Sequence, residues 1–454
     1  MGSDGCRSMW GVDIVSETIR EEVDAIVIGG GPAGSSAARL VAASGHSTVL
    51  LERAQFPRFH IGESMLTYTA ALLDRLGVRE EVDATDFPVK TGAEFCDVDG
   101  GYTRVDFTDQ GAGRELTTYQ VERSAFDDML LRHAAKAGVD VRFGARVTRF
   151  ESAGERLTGV TYTQDGVTRH LSARRIIDAS GRAGVISTGV LRSRRTPDRL
   201  RMVAAFRHYD GVREATNPGV SGDIQIGSHA DGWVWAIPIR PERISVGAVT
   251  RPEILQRMGA DRVFDEFTRR IPRVHQRIAD LTEHSETRVE SDFTYFSDQV
   301  AGPGYLMAGD AGCFVDPIFS AGVYLALTSG IRAGETTVAI LDGAQDETAA
   351  TELYSRFYKT GYDTYFRLIY AFYEHDFRLG RFLKSTGARV APIWIARLLG
   401  GDFWSQKNPL ARHLRTIEAY RSFAPYEPLY GCPVYPELEA AERDHVALGE
   451  PANA

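Results

Sequence analysis

The chain has 454 residues, 43% apolar and 25% charged. That composition excludes long disorder, collagen-like sequence and a charge-rich coiled coil. Its 52 basic and 61 acidic side chains give a net charge of −9, which disfavours a nucleic-acid backbone or an anionic membrane as partner. Cys6, Cys96, Cys313 and Cys432 are too few and too scattered for a disulfide framework or a zinc cluster. A reducing, cytoplasmic setting fits them. The stretch Met1 to Arg20 mixes Asp, Glu and Arg with apolar residues, unlike a signal peptide. No uncharged apolar run reaches the length of about 18 that spans a membrane.

In chain order, Val23–Ile28 is a short buried-strand pattern, followed by Gly29-Gly30-Gly31-Pro32-Ala33-Gly34 and an Ala-rich helix over Ser35–Ala43. A second strand, Thr48–Leu51, ends in Glu52-Arg53, completing a βαβ unit. Apolar spacing predicts a helix over 66–84, short strands and loops over 86–120, a helix over 123–137 and strands over 139–178. A mostly β stretch covers 201–250, with helices to about 280. A strand at Tyr305–Ala308 leads into a Gly-rich loop and a helix over 321–341. The remainder, 350–454, is helical and rich in aromatics. The pattern predicts an α/β Rossmann-like fold. Its dinucleotide-binding unit spans 23–200 and 286–345, a β-sheet and helix region is inserted at 201–285, and the helical C-terminal region is 346–454.

Gly29, Gly31 and Gly34 form G-x-G-x-x-G between a strand and a helix. These glycines supply a tight turn, close approach of a pyrophosphate and close helix–strand contact. The helix N-terminus offers free N–H groups and a positive dipole end to phosphate. Glu52 stands where an acid bonds ribose hydroxyls. Two further strands end in small-residue turns, Asp178-Ala179-Ser180-Gly181 and Ala308-Gly309-Asp310. Together these segments resemble the FAD contacts of the p-hydroxybenzoate-hydroxylase-like flavoproteins. The resemblance implies FAD held by Gly29, Gly31, Ala33, Gly34, Glu52, Arg53, Glu63, Ser64, Gln120, Arg123, Asp178, Gly181, Gly309 and Asp310. There is no second nucleotide fingerprint for NAD(P)H.

Three stretches narrow the family. Trp233-Val234-Trp235-Ala236-Ile237-Pro238 places two indoles on one side of a strand. Lys90 lies in Phe87-Pro88-Val89-Lys90-Thr91-Gly92. Asp316-Pro317-Ile318-Phe319-Ser320-Ala321-Gly322 opens the helix after Asp310 and leaves backbone N–H groups free to meet an anion. These resemble the flavin-dependent halogenases, whose reaction uses FADH2, O2 and chloride or bromide. The resemblance implies that a flavin C4a-hydroperoxide oxidises halide to hypohalous acid and that Lys90 relays the halogen. It makes Ser320, Ala321 and Gly322 halide candidates. Trp233, Trp235, Ile237, Pro238 and Phe319 become candidates for separating substrate from flavin. An apolar tunnel lowers a lysine pKa and opens capture as a chloramine, a route closed to arginine. The tryptophan halogenases carry a glutamate where this chain has Phe319, which points to a phenolic or pyrrolic substrate. Pro57–Ser64 resembles the family's R-x-x-x-G-E-S stretch beside the flavin. His60, within it, reads as a loop histidine rather than a base.

Tyr354, Tyr358, Tyr362, Phe366, Tyr370, Tyr373 and Phe377 recur at helical spacing. Such a stripe is usually core; the alternative is a lid over the substrate end of the site. His375, Arg378, Arg381 and Lys384 make a basic cluster that either meets an acidic carrier protein or is a solvated helix face. The expected reaction is halogenation of an electron-rich aromatic, free or tethered to an acyl or peptidyl carrier, in secondary metabolism such as antibiotic biosynthesis. A separate NAD(P)H-dependent flavin reductase supplies FADH2, and no metal takes part. The rival readings are an FAD-dependent NAD(P)H aromatic hydroxylase, a flavin reductase of isoprenoid double bonds, and a non-catalytic flavin-binding or carrier-docking protein.

Overall fold

The strand Arg20–Ile28 is apolar along its second half because both its faces are covered, as in other parallel sheets. In the computed structural model, which describes residues 20–108, 116–197, 200–213, 217–291, 294–385 and 391–436, it is central to an eight-stranded sheet. It pairs in parallel with Thr48–Glu52 on one side and Val167–Asp178 on the other. Asp140–Phe143 and Tyr305–Met307 extend the parallel set outward, and Arg146–Ala153 and Arg156–Gln164 add an antiparallel hairpin. The carboxyl ends of the parallel strands therefore lie side by side, which is where open α/β sheets bind ligands.

The helices Pro32–Ala43 and Gly322–Leu341 pack against each other through small residues. A Cβ on Gly330 would come within 2.3 Å of the Ala33 carbonyl oxygen, so only glycine allows this approach. The crossing holds both helix starts close to the strand ends.

A second, seven-stranded sheet runs in the order Arg288–Ser291, Val203–Asp210, Arg243–Thr250, Gly232–Arg240, Ile224–His229, Gly92–Cys96, Tyr102–Asp106. The boundaries expected from sequence need correction here. Gly92–Cys96, Tyr102–Asp106 and Arg288–Ser291, placed by sequence in the dinucleotide-binding unit, are strands of this second sheet. Gly92–Cys96 joins it in parallel with Ile224–His229, a pairing between distant segments that no local pattern announces. The helix expected over 66–84 is two, Thr69–Leu76 and Arg79–Asp83, separated at Gly77, whose φ of 65° is left-handed.

The helix Glu347–Glu374 begins at an Asp346 side chain that accepts the Ala349 N–H at 3.0 Å. Its aromatic stripe is core over Tyr354, Tyr358, Tyr362 and Phe366, all buried. Phe377 lies beyond the end of the helix. The basic cluster is partly neutralised: Arg378 pairs with Asp97 and Arg381 with Asp376. Among the described residues no helix is long and apolar enough to cross a membrane. Residues 1–19, including Cys6, and the tail 437–454 lie outside the described set.

Candidate functional site

A cavity of about 630 Å³ runs along the carboxyl ends of the parallel strands and reaches between the two sheets. One end is made by Gly29, Gly31 and Ala33. Gly29 has φ 101°, and a Cβ there would sit 2.4 Å from the Ala179 carbonyl oxygen. Gly34 does not line the cavity; its Cβ would fall 1.8 Å from the Gly29 carbonyl oxygen, so it permits the helix to start this close to the turn. Glu52, almost fully buried, accepts the Gly30 N–H at 2.7 Å and the Ala54 N–H at 2.8 Å. Each carboxylate oxygen keeps a lone pair that can accept a ribose hydroxyl.

The middle of the cavity is lined by Arg53, Glu63, Ser64, Arg123, Gly181, Gly309 and Asp310. Arg123 is held rigid by two bonds to Asp127, at 2.8 and 3.0 Å, and by the carbonyls of Ile61 and Gly62. Burial pushes the Asp310 carboxyl up to about 6, against the pull of Arg123, Arg182 and Arg194. Glu63 Oε2 is buried with no hydrogen-bond partner. His60 also lines this stretch; burial pushes its imidazole down to about 3, so it is neutral. The hydroxyls of Tyr354 and Tyr358 donate to the carbonyls of Met307 and Gly309, each at 2.6 Å. The core stripe of the long helix thereby fixes the backbone carrying Asp310.

Two expected cofactor residues do other work. Asp178, fully buried, accepts the Ser180 and Ile186 N–H groups at 3.0 and 2.8 Å and shapes the turn around Gly181 from behind. Gln120 is fully buried, pairs with Ser64 in an isolated antiparallel bridge, and donates its amide to the Gly222 carbonyl at 2.8 Å. Neither lines the cavity.

The far end is walled by Trp233, Trp235 and Ile237, with Ser320, Gly322 and Val323 opposite. Alternation along Gly232–Arg240 turns these three side chains to the cavity while Val234 and Ala236 enter the core behind the sheet. The two indole centroids are 5.8 Å apart at 47°. Trp235 lies over Gly247, where a Cβ would be 2.2 Å from the ring, and its N–H donates to Ser245 at 3.1 Å. Ser320 adopts a left-handed φ of 61°, which bends the chain just before the helix Gly322–Leu341. Ala321 is buried beneath this turn, and Pro238 and Phe319 face away from the cavity. Phe319 instead packs edge-on against Phe372, at 5.2 Å between centroids, and near Phe95 at 6.2 Å.

Lys90 is 1% exposed, on the two-residue strand Val89–Lys90 that pairs with Thr118–Tyr119. Its Nζ donates to Ser64 Oγ and to the Met65 carbonyl, both at 2.9 Å. Burial pushes its pKa down to about 7, with Asp223 pulling the other way. Asp223 holds this strand by accepting the N–H groups of Thr91 and Gly92, at 3.0 and 2.7 Å, and it pairs with Arg104 at 2.8 Å. Sequence reasoning missed one further group. Asp316, fully buried, accepts the Ile318 N–H at 3.0 Å and the Tyr373 hydroxyl at 2.5 Å; burial pushes its carboxyl up to about 7. The Asp-Pro pair at the start of this turn was the readable signal.

The cavity fits FAD. It joins a phosphate-accepting helix start to an acid, then to a rigid polar middle with an unpartnered Glu63 oxygen, then to an apolar end. Cβ positions on Gly181 and Gly322 face open space. Among the described residues no cluster of three or more His, Cys, Asp or Glu could hold a metal.

Comparison with known proteins places the chain in a family. The family model described as tryptophan halogenase matches residues 24–109 and 104–383. The chain is 37% identical over 362 residues to a tryptophan 2-halogenase of Chondromyces crocatus, covering 78% of this chain and 68% of that protein. It is 31% identical to the sulochrin halogenase of Aspergillus terreus, covering 78% and 70%. Among solved structures it resembles the flavin-dependent brominase Bmp2, with a TM-score of 0.78, 30% identity and 88% and 99% of the two chains covered. It also resembles the myxobacterial chondrochloren halogenase CndH, with a TM-score of 0.73, 32% identity and 84% and 90% covered. The chain belongs to the FAD-dependent halogenases.

Proposed function

We propose that this enzyme chlorinates or brominates an electron-rich aromatic, phenolic or pyrrolic, with Lys90 carrying the halogen from the cavity to the substrate. The observation that carries the reading is a fully buried lysine, its pKa lowered by burial, one hydroxyl away from the flavin cavity. When bound, reduced FAD supplies hypohalous acid from O2 and halide. The protein's own residues do the rest. Gly29–Gly34 and Glu52 hold the dinucleotide end, and Arg53, Arg123 and Asp310 the middle. The turn Ser320–Gly322 offers a halide site beside the flavin. Trp233, Trp235 and Ile237 form an apolar wall that keeps substrate off the flavin, so the oxidant reaches it only through Lys90. The ammonium form of Lys90 hydrogen-bonds and polarises hypohalous acid; the neutral amine captures the halogen.

Phe319 supports the phenolic or pyrrolic reading. It is packed between Phe95 and Phe372 where the tryptophan halogenases carry a glutamate, so no carboxylate from that position assists an indole. An indole substrate is the second reading, favoured by the similarity to a tryptophan 2-halogenase. FADH2 comes from a separate NAD(P)H-dependent reductase, in keeping with the single nucleotide fingerprint. Incubation with such a reductase, FAD, bromide and a panel of phenols, pyrroles and indoles, free and carrier-bound, discriminates these readings. Brominated phenol or pyrrole is expected; turnover confined to indoles overturns the substrate class, and hydroxylation without halogen overturns the reaction.

A further inference from the structure

We propose that Ser64 is a catalytic residue that passes a proton between Lys90 and the departing oxygen of hypohalous acid. The inference rests on the function proposed above and assigns to Ser64 a role distinct from holding the flavin.

The geometry begins with what faces the cavity. Ser64 lines it, whereas Lys90 is set behind this wall with its Nζ on Ser64 Oγ. The second bond of Nζ goes to the Met65 carbonyl, the next residue of the same segment. Phe107 covers another side of the ammonium, its ring centroid 5.5 Å away. The segment carrying Ser64 is pinned: Val121 donates to the Glu63 carbonyl at 2.7 Å, Met65 donates to the Tyr119 carbonyl at 3.2 Å, and Ser64 bridges to Gln120. Ser64 Oγ is therefore a fixed point between the cavity and the amine.

The chemistry asks for such a group. When the neutral amine of Lys90 attacks the halogen of hypohalous acid, an N–halogen bond forms and the O–halogen bond breaks. The oxygen leaves with the bonding pair and needs a proton. The nitrogen must lose one. Ser64 Oγ already accepts an Nζ–H bond, so it takes that proton while giving its own to the leaving oxygen, and water departs. The aromatic substrate then takes the halogen from nitrogen and gives up a ring proton, which restores the amine. No electrons are gained or lost by the protein. A hydroxyl is suited to this task because it donates and accepts at one atom.

The test uses Ser64→Ala, which removes the hydroxyl, and Ser64→Thr, which keeps it. The flavin-free protein is titrated with hypochlorous acid, and the Lys90 peptide is read by mass spectrometry for exchange of one hydrogen for chlorine. Ser64→Ala is expected to slow chlorination of Lys90 at least tenfold, with Ser64→Thr within about threefold of the parent. An alanine variant that reacts as fast as the parent overturns the relay. So do alanine and threonine variants that are equally slow, since a packing role accounts for that result. Lys90→Met, assayed beside them for halogenated product with reduced FAD, separates the failures. If it still halogenates, the function proposed for Lys90 fails and the relay with it. If it is inactive while Ser64→Ala matches the parent in both assays, only the relay fails.

Discussion

Replacing Lys90 by methionine leaves an unbranched side chain one atom shorter and removes its charge, and its first consequence is a change in how stability responds to pH. The lysine has a pKa near 7 in the folded protein because burial penalises the ammonium, against an ordinary 10.5. Between these values the unfolded chain holds a proton that the folded protein has lost, so stability rises with pH. Each pH unit in that window is worth about 1.4 kcal/mol, and the interval from pH 7 to 9.5 about 3 kcal/mol. Below pH 7 both states are protonated and this contribution is flat. Lys90→Met has no such group, so the stability of the parent relative to the variant climbs by about 3 kcal/mol from pH 7 to 9.5. All other titrating groups cancel in the difference. The assay is urea unfolding of both proteins at pH 6.5, 7.5, 8.5 and 9.5, monitored by tryptophan fluorescence. A difference that stays constant within about 0.5 kcal/mol refutes the buried, depressed amine and the chloramine route with it.

Asp316→Asn tests the second displaced group, with the opposite sign. Its carboxyl is raised to about 7 from 3.8, so the parent loses stability as pH rises between those values while the variant does not; relative to the parent the asparagine variant should gain about 3 kcal/mol from pH 4 to 7 in unfolding experiments. Gly34→Ala places a methyl 1.8 Å from the Gly29 carbonyl oxygen, backbone against backbone; equilibrium dialysis should show FAD affinity reduced at least about tenfold, and unchanged affinity contradicts the assigned turn. Gly247→Val drives a side chain into the Trp235 ring, where even a Cβ is 2.2 Å away; thermal unfolding should report a loss of about 1–3 kcal/mol, and undiminished stability means the indole is not seated there.

Much of the flavin end was legible in the sequence because its geometry is local. A strand, a glycine turn and a helix follow one another between Arg20 and Ala43, and alternation alone puts Trp233, Trp235 and Ile237 on one side. Long-range assembly was not legible. The bond from Lys90 to Ser64 spans 26 residues and depends on two small bridges. The bond from Tyr373 to Asp316 spans 57 and joins a helix to a turn. Strand Gly92–Cys96 pairs with Ile224–His229 about 130 residues away, so its place in the second sheet was misread. Asp178 and Gln120 sit in segments that resemble cofactor contacts, yet the Asp178 carboxylate and the Gln120 amide N–H bond backbone groups instead, a distinction only tertiary hydrogen bonds reveal. The aromatic stripe is core, as such periodicity usually is, and its hydroxyls give that core a second task of bracing the loop that carries Asp310.

Lys90 as the carrier of halogen is the step on which the proposed function depends most. Parent and Lys90→Met are supplied with reduced FAD by a separate reductase, with oxygen, bromide and a responsive phenol or pyrrole. Brominated product is read by its isotope doublet in mass spectrometry, and flavin reoxidation is followed in the same vessel. Brominated product is expected from the parent alone, with flavin reoxidation retained in the variant. Equal bromination by Lys90→Met would contradict the role assigned to Lys90.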